Sequence, residues 1–243
     1  MSVQARSAPG ARTAAGATLA IELSQRSGSV ALQPGRGAAV VVADVPPSDD
    51  HGDHLMDVIA RLCASAGIGA RELRAIAVSV GPGGFTGLRV ACATARAIAD
   101  ATGAGAIAVP SALVAARTLA MQGHWAPAEG AEARVLLAAK GADAWGTLVR
   151  MESGMPRTLE AALVPAGIDP GVLAIGDAHA RTLWPNVPAD RWLEARFCAR
   201  ACLDVAVALE ASGTPDDPAG MAPIYPRPPE AVVLWDRRHG APA

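Results

Sequence analysis

The chain has 243 residues, of which 51% are hydrophobic, 18% charged and 3% aromatic, and its formal charge is −2. That length admits one large domain or two of ordinary size, with a core packed from Ala, Val, Leu and Ile. The charge balance excludes any global attraction to nucleic acid or anionic membrane, so an RNA contact needs a local arginine patch or a partner that supplies charge.

Lys140 is the only lysine, so no GKT or GKS phosphate loop follows the glycines at 81–87. Cys63, Cys92, Cys198 and Cys202 have neither metal spacing nor the look of a disulfide framework, and a reduced cytoplasmic setting is expected. No apolar run reaches the roughly 18 residues of a membrane span. Residues Met1 to Ala17 are rich in Ala, Arg, Ser and Gly and lack acids. This composition resembles a transit peptide but reads as a disordered extension.

Leu19–Leu23 reads as a strand, Ser29–Leu32 as its hairpin partner and Ala39–Val45 as a third strand. From Gly52 the apolar period changes, and Leu55, Ile59, Leu62, Cys63 and Ala66 form one helical face that ends at Gly67 and Gly69. Ala75–Val80 is a fourth strand. It stops at Gly81-Pro82-Gly83-Gly84-Phe85-Thr86-Gly87, where Thr86 is expected to cap a small-residue helix ending at Gly103. Ala106–Val109 is a fifth strand, and Ser111 is expected to cap a helix running to Met121.

After a polar linker at Gln122–Ala133, Arg134–Lys140 and Trp145–Met151 suggest a hairpin and Val172–Ile175 a strand. Helices follow at Asp177–Leu183 and Ala199–Ala211. The tail, Pro223–Arg238, carries four prolines and is expected to be extended before a short amphipathic end. Three consecutive strands followed by α/β alternation imply a mixed sheet covered by helices, and the second half echoes that order. The expected organisation is an extension at 1–17, a unit at 18–122, and a second unit with its tail at 123–243.

Strand, glycine loop and helix can present backbone N–H groups to an anion, which makes Glu22, Ser24, Gly83 and Gly84 candidate nucleotide-binding residues. The competing reading is a tight connection in which glycines permit close approach or positive φ. Leu55, Met56, Ile59 and Leu62 on the first helix face Leu88, Ala91, Cys92 and Ala95 on the second. That pair is either an internal contact or a surface exposed for a partner. His51 and His54 lie three apart beside Asp49, Asp50 and Asp53, which suits a solvated helix start better than a metal site. The remaining histidines are isolated, and no catalytic set can be assembled.

The glycine segment, continuing through Arg89, Val90 and Ala93-Thr94-Ala95, resembles the signature of the TsaB family. So do the opening strand Leu19-Ala20-Ile21-Glu22-Leu23-Ser24, the strand Ser29-Val30-Ala31-Leu32, His51, and the tail segment Pro223-Ile224-Tyr225-Pro226-Arg227. The resemblance covers residues 18–120 and thins afterwards. It implies an α/β actin/Hsp70-like ATPase fold made of two βββαβαβα-type halves, the second reduced.

It further implies a non-catalytic cytoplasmic subunit without a cofactor or metal of its own. Such a subunit pairs with a TsaD-like transferase that threonylcarbamoylates the adenosine beside the tRNA anticodon. A TsaE-like ATPase joins the assembly, ATP and metal sit on the partner subunits, a homodimer forms in the partner's absence, and tRNA is met only through the complex. The interface residues implied are Leu55, Met56, Ile59, Leu62, Phe85, Thr86, Leu88, Arg89, Ala91, Cys92 and Ala95. On that reading a tryptophan at Ala95 blocks pairing and spares the fold.

The chain departs from the family pattern at Glu22 and Leu23, where the family has Asp and Thr. It departs again at Ala139–Trp145, where the family carries an acidic DAR segment. These departures count against nucleotide binding by this chain. The alternative reading is a nucleotide-dependent transferase or hydrolase acting through its own interlobe cleft.

Overall fold

The computed structural model describes residues 16–47, 52–139, 143–213, 218–227 and 235. Strand β1 (Ala17–Glu22) is a wholly buried run and lies at the centre of the first sheet. It pairs antiparallel with β2 (Gly28–Gln33) and parallel with β4 (Leu73–Ser79). Strands β3 (Val41–Val45) and β5 (Gly105–Val109) complete the order β3-β2-β1-β4-β5.

The sequence of this sheet alternates in size. Ala20, Ala31, Ala75 and Ala77 point to one face, and Leu19, Ile21, Val30, Leu32, Ile76 and Val78 point to the other. The bulky face is covered by α1 (Gly52–Ser65) and α2 (Phe85–Thr102). The alanine face lets α3 (Ser111–Met121) and α5 (Ala199–Ala211) approach closely. This alternation explains how a chain with 3% aromatic residues fills a two-sided sheet.

The second sheet contains β6 (Glu132–Ala138), β7 (Asp143–Glu152), β8 (Met155–Pro165), β9 (Leu173–Gly176) and β10 (Trp192–Glu194). Read as β8-β7-β6-β9-β10, it repeats the order and strand directions of the first: two antiparallel pairings, then two parallel ones. The short α4 (Ala178–Leu183) covers its outer face through Ala180 and Trp184, in the place α2 occupies in the first half. No helix joins β8 to β9, so the counterpart of α1 is missing. The duplicated α/β actin-like architecture with a reduced second half is therefore present.

Helices α3 and α5 lie between the two sheets in one continuous core. Arg117 of α3 donates to Asp204 of α5 at 2.8 Å, and the buried Ala199 N–H donates to Ser29 Oγ at 2.9 Å. Arg74 on β4 and Glu210 on α5 form a further ion pair. Helix α5, expected among the second-half elements, thus packs directly on β1 and its neighbours.

Several local expectations need correction. Strand β8 was not anticipated, because its sequence contains two prolines and a helix-like Leu-Glu-Ala-Ala-Leu run. It is an edge strand, where proline is tolerated and both faces stay exposed. Strand β10 is too short to carry a period. Helix α2 begins at Phe85 with Gly84 as its N-cap, so Thr86 lies inside the first turn and caps nothing. Pro110 is the N-cap of α3, and Ser111 instead pairs its hydroxyl with that of Ser79 at 2.7 Å. Asp49, Asp50, His51 and residues 1–15 lie outside the described residues, as does the tail beyond Arg227 apart from Trp235.

Replacing Asp204 with Ala leaves Arg117 without its carboxylate in a seam where the two side chains are only 22% and 12% exposed. The unfolding free energy is expected to fall by about 1–3 kcal/mol in urea titration. Arg157→Ala breaks an exposed pair with Glu152 and should change it by less than about 0.5 kcal/mol.

Candidate functional site

The glycine loop lies directly on the β1–β2 turn. Gly84 N–H donates to the Ser24 carbonyl at 2.8 Å. A Cβ on Gly83 would sit 2.3 Å from that same oxygen, and one on Gly87 would sit 2.2 Å from the Leu23 carbonyl oxygen. Only glycine lets two backbones approach this closely. The other end of the loop is also tied down: Gly81 accepts from Ser111 N–H at 2.9 Å, and Ile224 N–H donates to the Val80 carbonyl at 2.7 Å. The glycines therefore seat α2 against the end of β1.

Gly83→Ala and Gly87→Ala are expected to lower the unfolding midpoint markedly, because the obstructing atoms are backbone. Gly84→Ala, whose Cβ would meet nothing nearer than 3.7 Å at a φ of −62°, should cost no more than about 1 kcal/mol. Thermal unfolding of the three variants checks this order.

Beneath the loop, Glu22 is 0% exposed. Its Oε1 accepts from Ser24 N–H at 2.6 Å. Burial pushes its carboxyl above the usual carboxylate range, while the Ser24 and Ser79 groups beside it pull the other way. Cys202, on α5, faces the same spot, and burial first, then Glu22 and Cys198, hold its thiol well above the usual thiol range. Ser24 is also 0% exposed, whereas Gly83 and Gly84 are exposed. The four candidate nucleotide-binding residues thus do not line a common opening, since α5 closes over the carboxylate. Among the described residues, no group of three or more His, Cys, Asp or Glu is placed to hold a metal ion.

The expected partner face divides in two. Leu55, Ile59, Leu62, Ala91, Cys92 and Ala95 are buried against the bulky face of the first sheet, and Leu88 is buried as well. In the folded chain these side chains fill its own core. Burial likewise pushes the Cys92 thiol up to about 11. Met56, Phe85, Thr86 and Arg89 are exposed, Met56 by 50% and Phe85 by 58%.

The reading of Ala95 is corrected accordingly. At 0% exposure it has no room for an indole, and Ala95→Trp is expected to destabilise the fold itself by about 1–3 kcal/mol or more. Chemical denaturation of the isolated chain measures this without any partner.

The sequence reading missed how the tail completes the exposed face. Tyr225 stacks on Phe85 with ring centroids 5.5 Å apart, and the Arg89 guanidinium sits 5.0 Å above the Phe85 ring. Arg227 pairs with Asp143 at the start of β7. The Pro223–Arg227 segment carried the signal, since a tyrosine and an arginine spaced by one residue can grip two neighbouring surfaces.

Residues 45–139 match the family model of TsaD, tRNA N6-adenosine threonylcarbamoyltransferase. That segment is less than half of the chain. A crystal structure of a Pseudomonas aeruginosa protein, described as uncharacterized and similar to peptidase YeaZ, superposes with a TM-score of 0.74 at 21% identity. The match covers 87% of this chain and 100% of that one. YeaZ from the same organism gives a TM-score of 0.74 at 21% identity, covering 86% and 99%. At that identity the two structures establish the fold. No curated protein sequence matches the chain. Among the described residues, no helix is long and apolar enough to cross a membrane.

Proposed function

We propose that this chain is a non-catalytic cytoplasmic subunit that binds and activates a TsaD-like transferase for threonylcarbamoylation of the adenosine beside the tRNA anticodon. The observation that carries the reading is the division of α1 and α2 into two sides. Their inner sides fill the chain's own core, and their outer sides present Met56, Phe85 and Arg89, with Tyr225 stacked on Phe85. Exposed aromatic and methionine side chains beside an arginine have the composition of an interface centre. The outer side of α2 also carries Ala93 and Ala97, small residues that let a partner helix come close.

The closed setting of Glu22 and Ser24 supports a role outside phosphate chemistry for this chain. ATP and metal then belong to the transferase and to a TsaE-like ATPase that joins it. The same face pairs two copies of this chain when the transferase is absent, and tRNA is met through the complex.

Mixing the purified chain with a TsaD-like protein is expected to give a heterodimer by light scattering. Met56→Glu and Phe85→Ala should weaken it at least about tenfold while leaving monomer stability within about 0.5 kcal/mol. A mixture that stays at the monomer masses overturns the proposal. ATP turnover by the chain alone would favour a nucleotide-dependent enzyme instead.

A further inference from the structure

The end of the first sheet away from the glycine loop is open. There β1 begins, β2 finishes and α5 terminates, and a groove of about 310 Å³ lies between them. That volume is at the lower end of the range for small-molecule pockets. Val207 and Ala211 of α5 give the groove an apolar wall, and Thr18, Gln33, Arg36, Arg74 and Glu210 bring polar groups to it. Arg74 is held from three directions. Its guanidinium meets both oxygens of the Glu210 carboxylate and donates to Thr18 Oγ1 at 3.1 Å. Its stem packs against Gly16, where a Cβ would sit 2.7 Å from the Arg74 Cβ. With a side chain only 17% exposed, Arg74 is in place before any ligand arrives.

The hydrogen bonding around the groove decides which sign of charge it accepts. Both Glu210 carboxylate oxygens are engaged by Arg74. The last carbonyls of α5 are engaged as well: Ser212 N–H donates to Ala208 at 3.1 Å, the Ser212 hydroxyl to Leu209 at 2.8 Å, and Gly213 N–H to Glu210 at 3.0 Å. A cation therefore finds its acceptors already paired. Donors are what remain. Arg36 is exposed, and among the described residues its guanidinium has no carboxylate partner. Thr18 Oγ1 accepts from Arg74 and keeps its own O–H to give. Gln33 spends one amide N–H on the Ala38 carbonyl at 3.2 Å and keeps the other.

We propose that this groove binds a small organic oxyanion, a carboxylate or a phosphate ester, with its acidic group on Arg36 and its apolar body along Val207 and Ala211. A guanidinium matches either head group with two parallel hydrogen bonds, which supplies the recognition. The groove is bounded by β1, the start of β4 and the end of α5, so an occupant ties a helix from late in the chain to the first sheet. Binding to the folded chain alone raises its stability as the ligand concentration rises. The groove is separate from the exposed face of α1 and α2, and this inference does not depend on the partner reading.

The test titrates the full 15N-labelled chain with benzoate, with phenyl phosphate and with uncharged benzyl alcohol at constant ionic strength. Benzoate or phenyl phosphate should give saturable shifts of the Arg36, Val207 and Ala211 amides, and benzyl alcohol should give none. The tighter of the two acids identifies the head group. Arg36→Gln should keep the wild-type thermal midpoint and weaken binding at least about tenfold. The binding acid should also raise the wild-type midpoint more than the variant's. Absence of saturable shifts up to about 10 mM overturns the proposal, as do shifts that benzyl alcohol reproduces or that Arg36→Gln leaves unchanged. Should Arg36→Gln fail to fold, the wild-type contrast between the acids and benzyl alcohol decides alone.

Discussion

The close contact between the Leu23–Ser24 backbone and the glycine loop is the constraint on which the rest of this structure depends. Carbonyl oxygens of the β1–β2 turn occupy the space where side chains on Gly83 and Gly87 would stand. That contact fixes where α2 starts, and α2 with α1 covers the bulky face of the first sheet. It also brings Phe85 out beside Tyr225 and closes the end of β1 around Glu22. One backbone-to-backbone approach thus links a buried acid to an exposed aromatic pair.

The second organising feature is the alanine face of the first sheet. Ala20, Ala31, Ala75 and Ala77 leave room for α3 and α5, whose other sides meet Val135, Leu137 and Ile175 of the second sheet. The two halves are consequently fused through shared helices, and Arg117 with Asp204 ties those helices together. Glu22 and Ser24 are buried at the end of that seam.

Much of the first half was legible in the sequence because its strands and helices announce themselves by period. Leu19–Leu23 and Ala75–Val80 are short apolar runs bounded by turn residues, and the face of α1 repeats cleanly from Leu55 to Cys63. The second half was less legible because an edge strand such as β8 is free to contain proline and to expose Leu159 and Leu163. The split of the expected partner residues between buried and exposed was illegible for a different reason. Helix α2 has small residues all round, and periodicity tells which side is apolar but not whether a sheet or another protein covers it. Ala95 turned out to face the sheet, while Ala93 and Ala97 face outward. Glu22 could not be read as closed, because the helix that closes it, α5, lies about 180 residues further along the chain.

The missing helix between β8 and β9 bears on how copies of such a chain can assemble. A molecule made of two equal halves would present two equivalent helical flanks, one at each end, and units joined flank to flank could extend without limit. Here the second flank has only the six-residue α4 and a loop. Among the described residues a two-helix flank is therefore present on the first half alone, and the chain has no equivalent second flank on which the same contact could be repeated.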